Sequence, residues 1–498
     1  MMSSIDSSIN IQLAKQKQYY LLIVFIAIEL LILFAFIQGE IGKVLIAIIG
    51  LLFVFFSAFS VERSYYLVAL YFLITPDKGY AHLFPGWKMF FTWYLGLPLL
   101  VWLFFNWFLS LLHNQIHYEQ DSRSIGLSRI NNSISLRTTD KLLIIFICAF
   151  SISAILGILR GFNRLYWAWN FLALLMYLGY FIFLYSPLSQ KPRRLFDFAV
   201  FCALVASLQY INSTIHFGIS SVVLTRLMSE HIHLTPLALI YLGATILYDS
   251  NKLRRWLALL IFPVILVGLL LSQQRSLYGS VFLALVILIL VFAYNQRLYL
   301  LKNATKIIYG IIGTIIFLGG LYILLQNLTQ GRLLTTVFTR IIIFLSPKMV
   351  KYDISAITRI SEIKNALSTV GNDFLFGRGL GDAVVTRWRE VEQITVDNTF
   401  AYLYWKTGLV GLLSFVAFII YFLKRGMTTL RKHLMAEEKI FVLSALLNIL
   451  ALLIVAIFNV CLAAYRPMLV WSATFAVVEL IARKYEGKTA TGLLRDNR

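Results

Sequence analysis

About fourteen apolar stretches recur along this chain, and several of them, such as 19–37, 87–112 and 440–463, have the ~20 residues a helix needs to cross a hydrocarbon core. Inside lipid every backbone polar group must be satisfied internally, which leaves only helical bundles and closed barrels. A barrel would show segments of about ten residues alternating in polarity, and no such alternation is present. Composition agrees. The chain is 60% hydrophobic and 13% charged, with a mean hydropathy of +0.80, whereas soluble domains carry roughly a quarter charged residues. The expected fold class is therefore all-α: a polytopic transmembrane helical bundle of about 12–14 spans with one large external loop that contains short helices.

The pattern predicts helices over 19–37, 41–58, 65–76, 87–112, 142–157, 167–186, 196–216, 234–248, 256–272, 277–294, 307–325, 398–423, 440–463 and 467–482. This division gives an N-terminal bundle over 1–325, a long loop over 326–397, and C-terminal helices with a tail over 398–498. The first span exceeds the apolar core of a signal peptide and no small-residue cleavage site follows it before Ile41, so it is expected to be retained. Cys148, Cys202 and Cys461 each fall within an expected span, where a thiol is a small apolar filler and neither a disulfide nor a metal site is suggested.

A net charge of +21 does not point to nucleic acid, because the excess is spread over many short loops. Its distribution reads as orientation. With the N-terminus in the cytoplasm, Arg123, Arg129, Arg137 and Lys141, then Lys191, Arg193 and Arg194, then Lys252, Arg254 and Arg255 all fall inside. This is the positive-inside bias. Outside loops carry less, although Arg160 and Arg164 share one. The long 326–397 loop then lies outside, and long loops are largely exempt from the charge rule.

Within that loop nine Lys/Arg face seven Asp/Glu, and one reading of so balanced a stretch is a solvated, salt-bridged cap. The residues 361–369 read as a helix with Ile360, Ile363 and Leu367 on an apolar face. It runs into Phe374-Leu375-Phe376-Gly377-Arg378-Gly379-Leu380-Gly381, whose alternate glycines make a flexible turn of close approach. A nucleotide site is rejected here, since no strand precedes the glycines and no P-loop lysine follows. Arg275, in Ser272-Gln273-Gln274-Arg275-Ser276, is an ionisable group at the outer rim of the bundle. Such groups are costly and usually functional, the alternative being a snorkelling anchor. Arg359 falls at the start of the loop helix. Asp397-Asn398 opens the next span, where Asp397 has a second reading as an N-cap.

In order and spacing these pieces resemble the O-antigen polymerase and O-antigen ligase superfamily of bacterial envelope glycosyltransferases, over roughly 256–422. Members show an arginine in a small polar motif at a span junction, a second arginine before a helix leading to a Leu-x-Gly-x-Gly turn, then a polar pair ahead of Tyr-Leu and Gly-Leu-x-Gly-Leu stretches. Here these are Arg275, Arg359, the 374–381 turn, Asp397-Asn398, Tyr402-Leu403 and 408–412. The family's pair is usually His-Asn, and ligases are thought to use that histidine. Aspartate stands here instead, which favours polymerase over ligase.

The resemblance implies a metal-independent membrane enzyme, with no cofactor, at the outer face of the bacterial cytoplasmic (inner) membrane, both termini cytoplasmic. It would take a glycan linked to undecaprenyl pyrophosphate and pass it to an acceptor hydroxyl. It would work in the lipid bilayer beside a flippase and a chain-length regulator, and with no nucleic acid. Arg275 and Arg359 would clamp the pyrophosphate, two guanidiniums being suited to bidentate, permanently charged contacts with a leaving phosphate. Asp397 would be base or orienter. Arg378, Arg387, Arg389, Trp388 and Asn398 would contribute substrate contacts. Ligase activity, a polysaccharide flippase or secondary transporter, and a non-catalytic scaffold remain alternatives. A transporter would tend to show repeated halves with broken helices, and no internal repeat is evident.

Overall fold

The computed structural model describes residues 60–74, 99–111, 136–217, 230–272, 274–295, 354–385, 392–464 and 467–495. The expected spans 19–37, 41–58 and 307–325, and part of 87–112, lie outside them. The described residues form helices α1 (Val61–Ile74), α2 (Leu99–Leu111), α3 (Thr138–Leu159), α4 (Arg164–Leu184, with a 3-10 turn at Met176–Leu178), α5 (Pro192–Phe217) and α6 (Thr235–Tyr248). They continue with α7 (Lys252–Leu271), α8 (Arg275–Asn295), α9 (Ile354–Val370), α10 (Thr399–Leu430), α11 (Ala436–Phe458), α12 (Cys461–Ala464) and α13 (Met468–Arg495). A two-residue antiparallel ladder, β1 (Val384–Val385) with β2 (Glu392–Gln393), folds the chain back after the glycine turn.

Seven of these helices are long and apolar enough to cross a membrane: α3, α4, the first 21 residues of α5, α7, most of α8, α10 and α11. Side-chain caps fix where two of them start. Asn251 caps α7 by accepting from the Leu253 and Arg254 amides, and Asn163 does the same for α4. α11 is the central span: 78% of its most apolar window is buried, against 28% in α7 and α8. It packs on α6 and α8, while α10 packs on α3 and α13 on α4, so helices from both ends of the chain share one bundle. α7 lies close along α5 where Gly268 meets Ser207, and a Cβ there would sit 2.2 Å from the Ser207 Cβ. Small residues at such crossings let helix backbones approach where lipid offers no hydrophobic drive.

At the end of the bundle away from the long loop, a buried polar network joins four helices, α3, α4, α10 and α13. Asp140 of α3 accepts from Tyr180 (2.6 Å) and pairs with Arg483 of α13. Glu479 accepts from Thr139 (2.9 Å), Arg425 of α10 (3.1 Å) and Arg483 (2.9 Å). Asp140 and Glu479 are 0% and 1% exposed, and removing Glu479 leaves Arg483 with Asp140 alone, Arg425 with Glu486 alone and the Thr139 hydroxyl without its acceptor. Glu479→Leu is expected to lower stability by roughly 1–3 kcal/mol, measurable as a drop in the unfolding midpoint in detergent.

Candidate functional site

The 374–381 turn is docked into a break in α10. Gly408 has φ 65° and ψ −165°, inside what is otherwise one continuous helix. A break strands the carbonyls and amides on either side of it, and at membrane depth they must find protein partners. The turn supplies them. The Arg378 and Gly379 amides donate to the Trp405 and Lys406 carbonyls (2.8 and 3.1 Å), and the Leu409 and Val410 amides donate to the Phe374 and Leu375 carbonyls (2.8 and 3.1 Å). On the other side of the turn the Leu380 amide donates to the Ser153 carbonyl of α3 (3.1 Å), and the Ser153 hydroxyl donates to the Lys406 carbonyl (2.5 Å).

The glycines are required by this geometry. Gly377 has φ 72°, and a Cβ there would lie 2.6 Å from the Gly408 nitrogen. A Cβ on Gly379 or Gly381 would lie 2.8 Å from the Gly157 nitrogen or 3.0 Å from the Trp167 Cβ. Close approach was legible in the sequence; that the surface approached is the broken helix was not.

Charges gather around the docked turn. Arg160, at the end of α3, donates to the Gly377 and Arg378 carbonyls (3.2 and 2.6 Å) and pairs with Asp373 (2.7 Å). This accounts for a positive residue in a loop expected to be poor in them. Arg378 pairs with Asp373 (3.1 Å) and lies 3.5 Å from Asp382, so it sits between two acids of its own loop. Partial burial opposes ionisation of Asp373, but hydrogen bonds from Arg160 and then Arg378 outweigh it and hold the carboxyl below its usual range. Its stabilising pairing is thus fully present above the ordinary carboxylate range and is lost only as pH falls through the depressed value. Protection of the 374–381 amides from exchange, relative to the intrinsic rate at each pH, is expected to hold down to about pH 4 and to fall below it, with Asp373→Asn less protected at neutral pH.

Lys406 and Asp382 form a second, buried group. Lys406 is 0% exposed. Its ammonium donates to the Asp382 carbonyl and lies 3.6 Å from the Trp405 ring centroid, while the Trp405 indole donates to the Asp382 carboxylate (2.8 Å). Neither residue was singled out from sequence, although a lysine inside an apolar span was the signal that could have found it.

Two of the predicted site residues, 38 positions apart, meet. Arg359 Nε donates to Asp397 Oδ2 at 2.9 Å, with both side chains about one third exposed (34% and 33%). Arg359 is not at the helix start as expected, because α9 begins earlier, at Ile354. The expected apolar face is also rotated. Ile363 packs partly buried on the core as expected, but Ile360 and Leu367 are exposed (52% and 38%), whereas Glu362, Ala366 and Val370 are buried. Asn398, not Asp397, is the N-cap of α10. Its side chain accepts from the Ala401 amide (2.8 Å) and donates to the Ile457 carbonyl (2.9 Å), which frees Asp397 for the ion pair and makes Asn398 a tie between helices. Arg275 opens α8, but its side chain lies outside what the structure describes, as do Arg387, Trp388 and Arg389, which fall between the two short strands. No protein-family model matches the chain, and no curated protein matches it significantly.

Proposed function

We propose that this chain is a membrane glycosyltransferase that polymerises repeat units of a surface polysaccharide, O-antigen, capsule or exopolysaccharide, from an undecaprenyl-pyrophosphate-linked donor at the outer face of the bacterial cytoplasmic membrane. The observation that carries the reading is the Arg359–Asp397 pair at the mouth of the bundle. It joins a permanent cation suited to a leaving pyrophosphate with a carboxylate able to take a proton. In this reaction the acceptor hydroxyl oxygen attacks the anomeric carbon, the carbon–oxygen bond to pyrophosphate breaks, and the hydroxyl proton passes to Asp397. The negative charge that develops on the leaving phosphate is met by Arg359, and by Arg275 as the resemblance implies. Asp397 occupies only one of the five guanidinium N–H groups, so Arg359 retains donors for phosphate. Departure of Arg359 toward phosphate would release the carboxylate to act as base.

A broken helix with a buried lysine is a feature transporters also use. In α10, however, the groups freed by the break are bonded by the chain's own 374–381 turn, which weighs against transport. The test is the envelope polysaccharide profile of a strain lacking this protein, complemented with wild type, Arg359→Gln or Asp397→Asn. A polymerase gives single repeats on the final carrier without long chains. A ligase gives no attached glycan while lipid-linked polymer accumulates, and a flippase gives lipid-linked single units trapped on the cytoplasmic side.

A further inference from the structure

The long loop presents an apolar surface that its own core does not use. In α9, Ile360 and Leu367 are seven residues apart and so share one side at 3.6 residues per turn. Lys364 and Ser368 stand on the adjoining polar flank, and all four are exposed. Ile357, 40% exposed, adds a third large apolar residue to this arc, which therefore mixes apolar and polar side chains and has the Ile360–Leu367 pair at its apolar edge. Beyond α9, Phe374, Leu375 and Phe376 follow one another at 48%, 46% and 39% exposure. Three consecutive exposed large apolar residues in a turn whose backbone is pinned at both ends are a surface with a purpose.

Their position indicates what they meet. The Phe374 and Leu375 carbonyls are bonded to the Leu409 and Val410 amides, which places the tip at the head of the exposed stripe of α10. That stripe runs through Leu409 (37%), Leu413 (56%) and Ile420 (61%), on a helix long and apolar enough to span a membrane. A stripe of this kind on such a helix faces lipid, and the tip is continuous with it.

We propose that Phe374-Leu375-Phe376, with the Ile360–Leu367 flank of α9, is a membrane-inserted surface whose partner is the phospholipid acyl chains of the leaflet on the loop side. The loop is then partly re-entrant, not a cap standing in water. It holds α9, and with it Arg359, at the level of the lipid headgroups. The proposal needs only that the chain spans a membrane and does not depend on the polymerase reading.

The first test uses the unmodified full-length chain, reconstituted in phosphatidylcholine bilayers in which a fraction of the lipid carries a diazirine near the carbonyl end of one acyl chain. After irradiation and proteolysis, adducts are expected on 374–376 as well as on Leu409 and Leu413. Adducts on Leu409 and Leu413 with none on 374–376 would overturn it.

A second measurement places one nitroxide at Phe376→Cys, Ile360→Cys, Leu413→Cys or Ser368→Cys in a chain without Cys148, Cys202 and Cys461. Labels at 376 and 360 should collide with oxygen as readily as the label at 413, and those at 376, 360 and 413 should be shielded from an aqueous nickel complex that reaches the label at 368. Equal nickel access at 376, 360 and 368 would overturn the proposal, and so would spin–spin broadening at 376, which would mean that a second copy covers the surface.

Discussion

Arg359→Gln is expected to stop polysaccharide elongation, with a loss of at least about a hundredfold, the scale of one charge-stabilising donor removed from a developing oxyanion. Glutamine keeps some hydrogen bonding but is shorter and carries no charge and no fork. Arg359→Lys should recover little, because a lysine offers a point charge where phosphate binding calls for bidentate geometry. Asp397→Asn should fall by a similar or larger factor, since an amide cannot take the acceptor's proton. The two residues are also an ion pair at 2.9 Å, so a purely structural role must be separated from a chemical one. The exchanged double variant, Arg359→Asp with Asp397→Arg, does this. If the pair only fastens α9 to the start of α10, the exchange restores chain length; if it performs transfer, the exchange restores stability and leaves long chains absent. At one third exposure the pair contributes at most about 1 kcal/mol to stability, so both single variants should accumulate normally. Arg332→Gln, in the same loop, should elongate chains as wild type does.

What could be read in advance followed from physics that acts along the chain. Spans such as 142–157 and 196–216 were legible because a hydrocarbon core imposes length and apolarity on each helix separately; the observed α3 and α5 differ only by further turns at their ends. Arg359 and Asp397 were legible as charged groups at the edges of apolar runs. That they touch was not, since contact across 38 residues depends on how the loop folds back. The rotated face of α9 has the same origin. Apolar residues were expected to point at protein, but where both protein and lipid adjoin a helix, Ile360 and Leu367 can be exposed while Glu362 is buried. The break at Gly408 was hidden because Gly-Leu-Val-Gly-Leu within an apolar run reads as continuous helix. Only the partner turn, at 374–381, makes a positive φ there stable.

Gly408→Ala is expected to be among the most damaging single-methyl changes in the described chain, and the reason separates two costs. The first is backbone strain. At φ 65° with ψ −165° an L-residue lies outside its allowed regions, which costs of order 1–3 kcal/mol. The second is displacement, because the added Cβ would lie 2.3 Å from the Leu375 carbonyl oxygen and 2.5 Å from the Gly377 nitrogen, both backbone atoms that cannot swing aside. Relief requires the turn to withdraw, and withdrawal strands the Trp405 carbonyl and the Leu409 and Val410 amides and takes the Asp382 carbonyl from Lys406, each a buried polar loss of about 1–3 kcal/mol. Gly161→Ala isolates the first cost. Gly161 also has positive φ, 69°, but nothing lies within 4 Å of its added Cβ, so its penalty should stay near 1 kcal/mol. The comparison is read from unfolding midpoints in detergent together with amide exchange over 374–381. Gly408→Ala should lower the midpoint several times further than Gly161→Ala and deprotect the turn; equal midpoints with the turn still protected would mean that the turn does not depend on the break in α10.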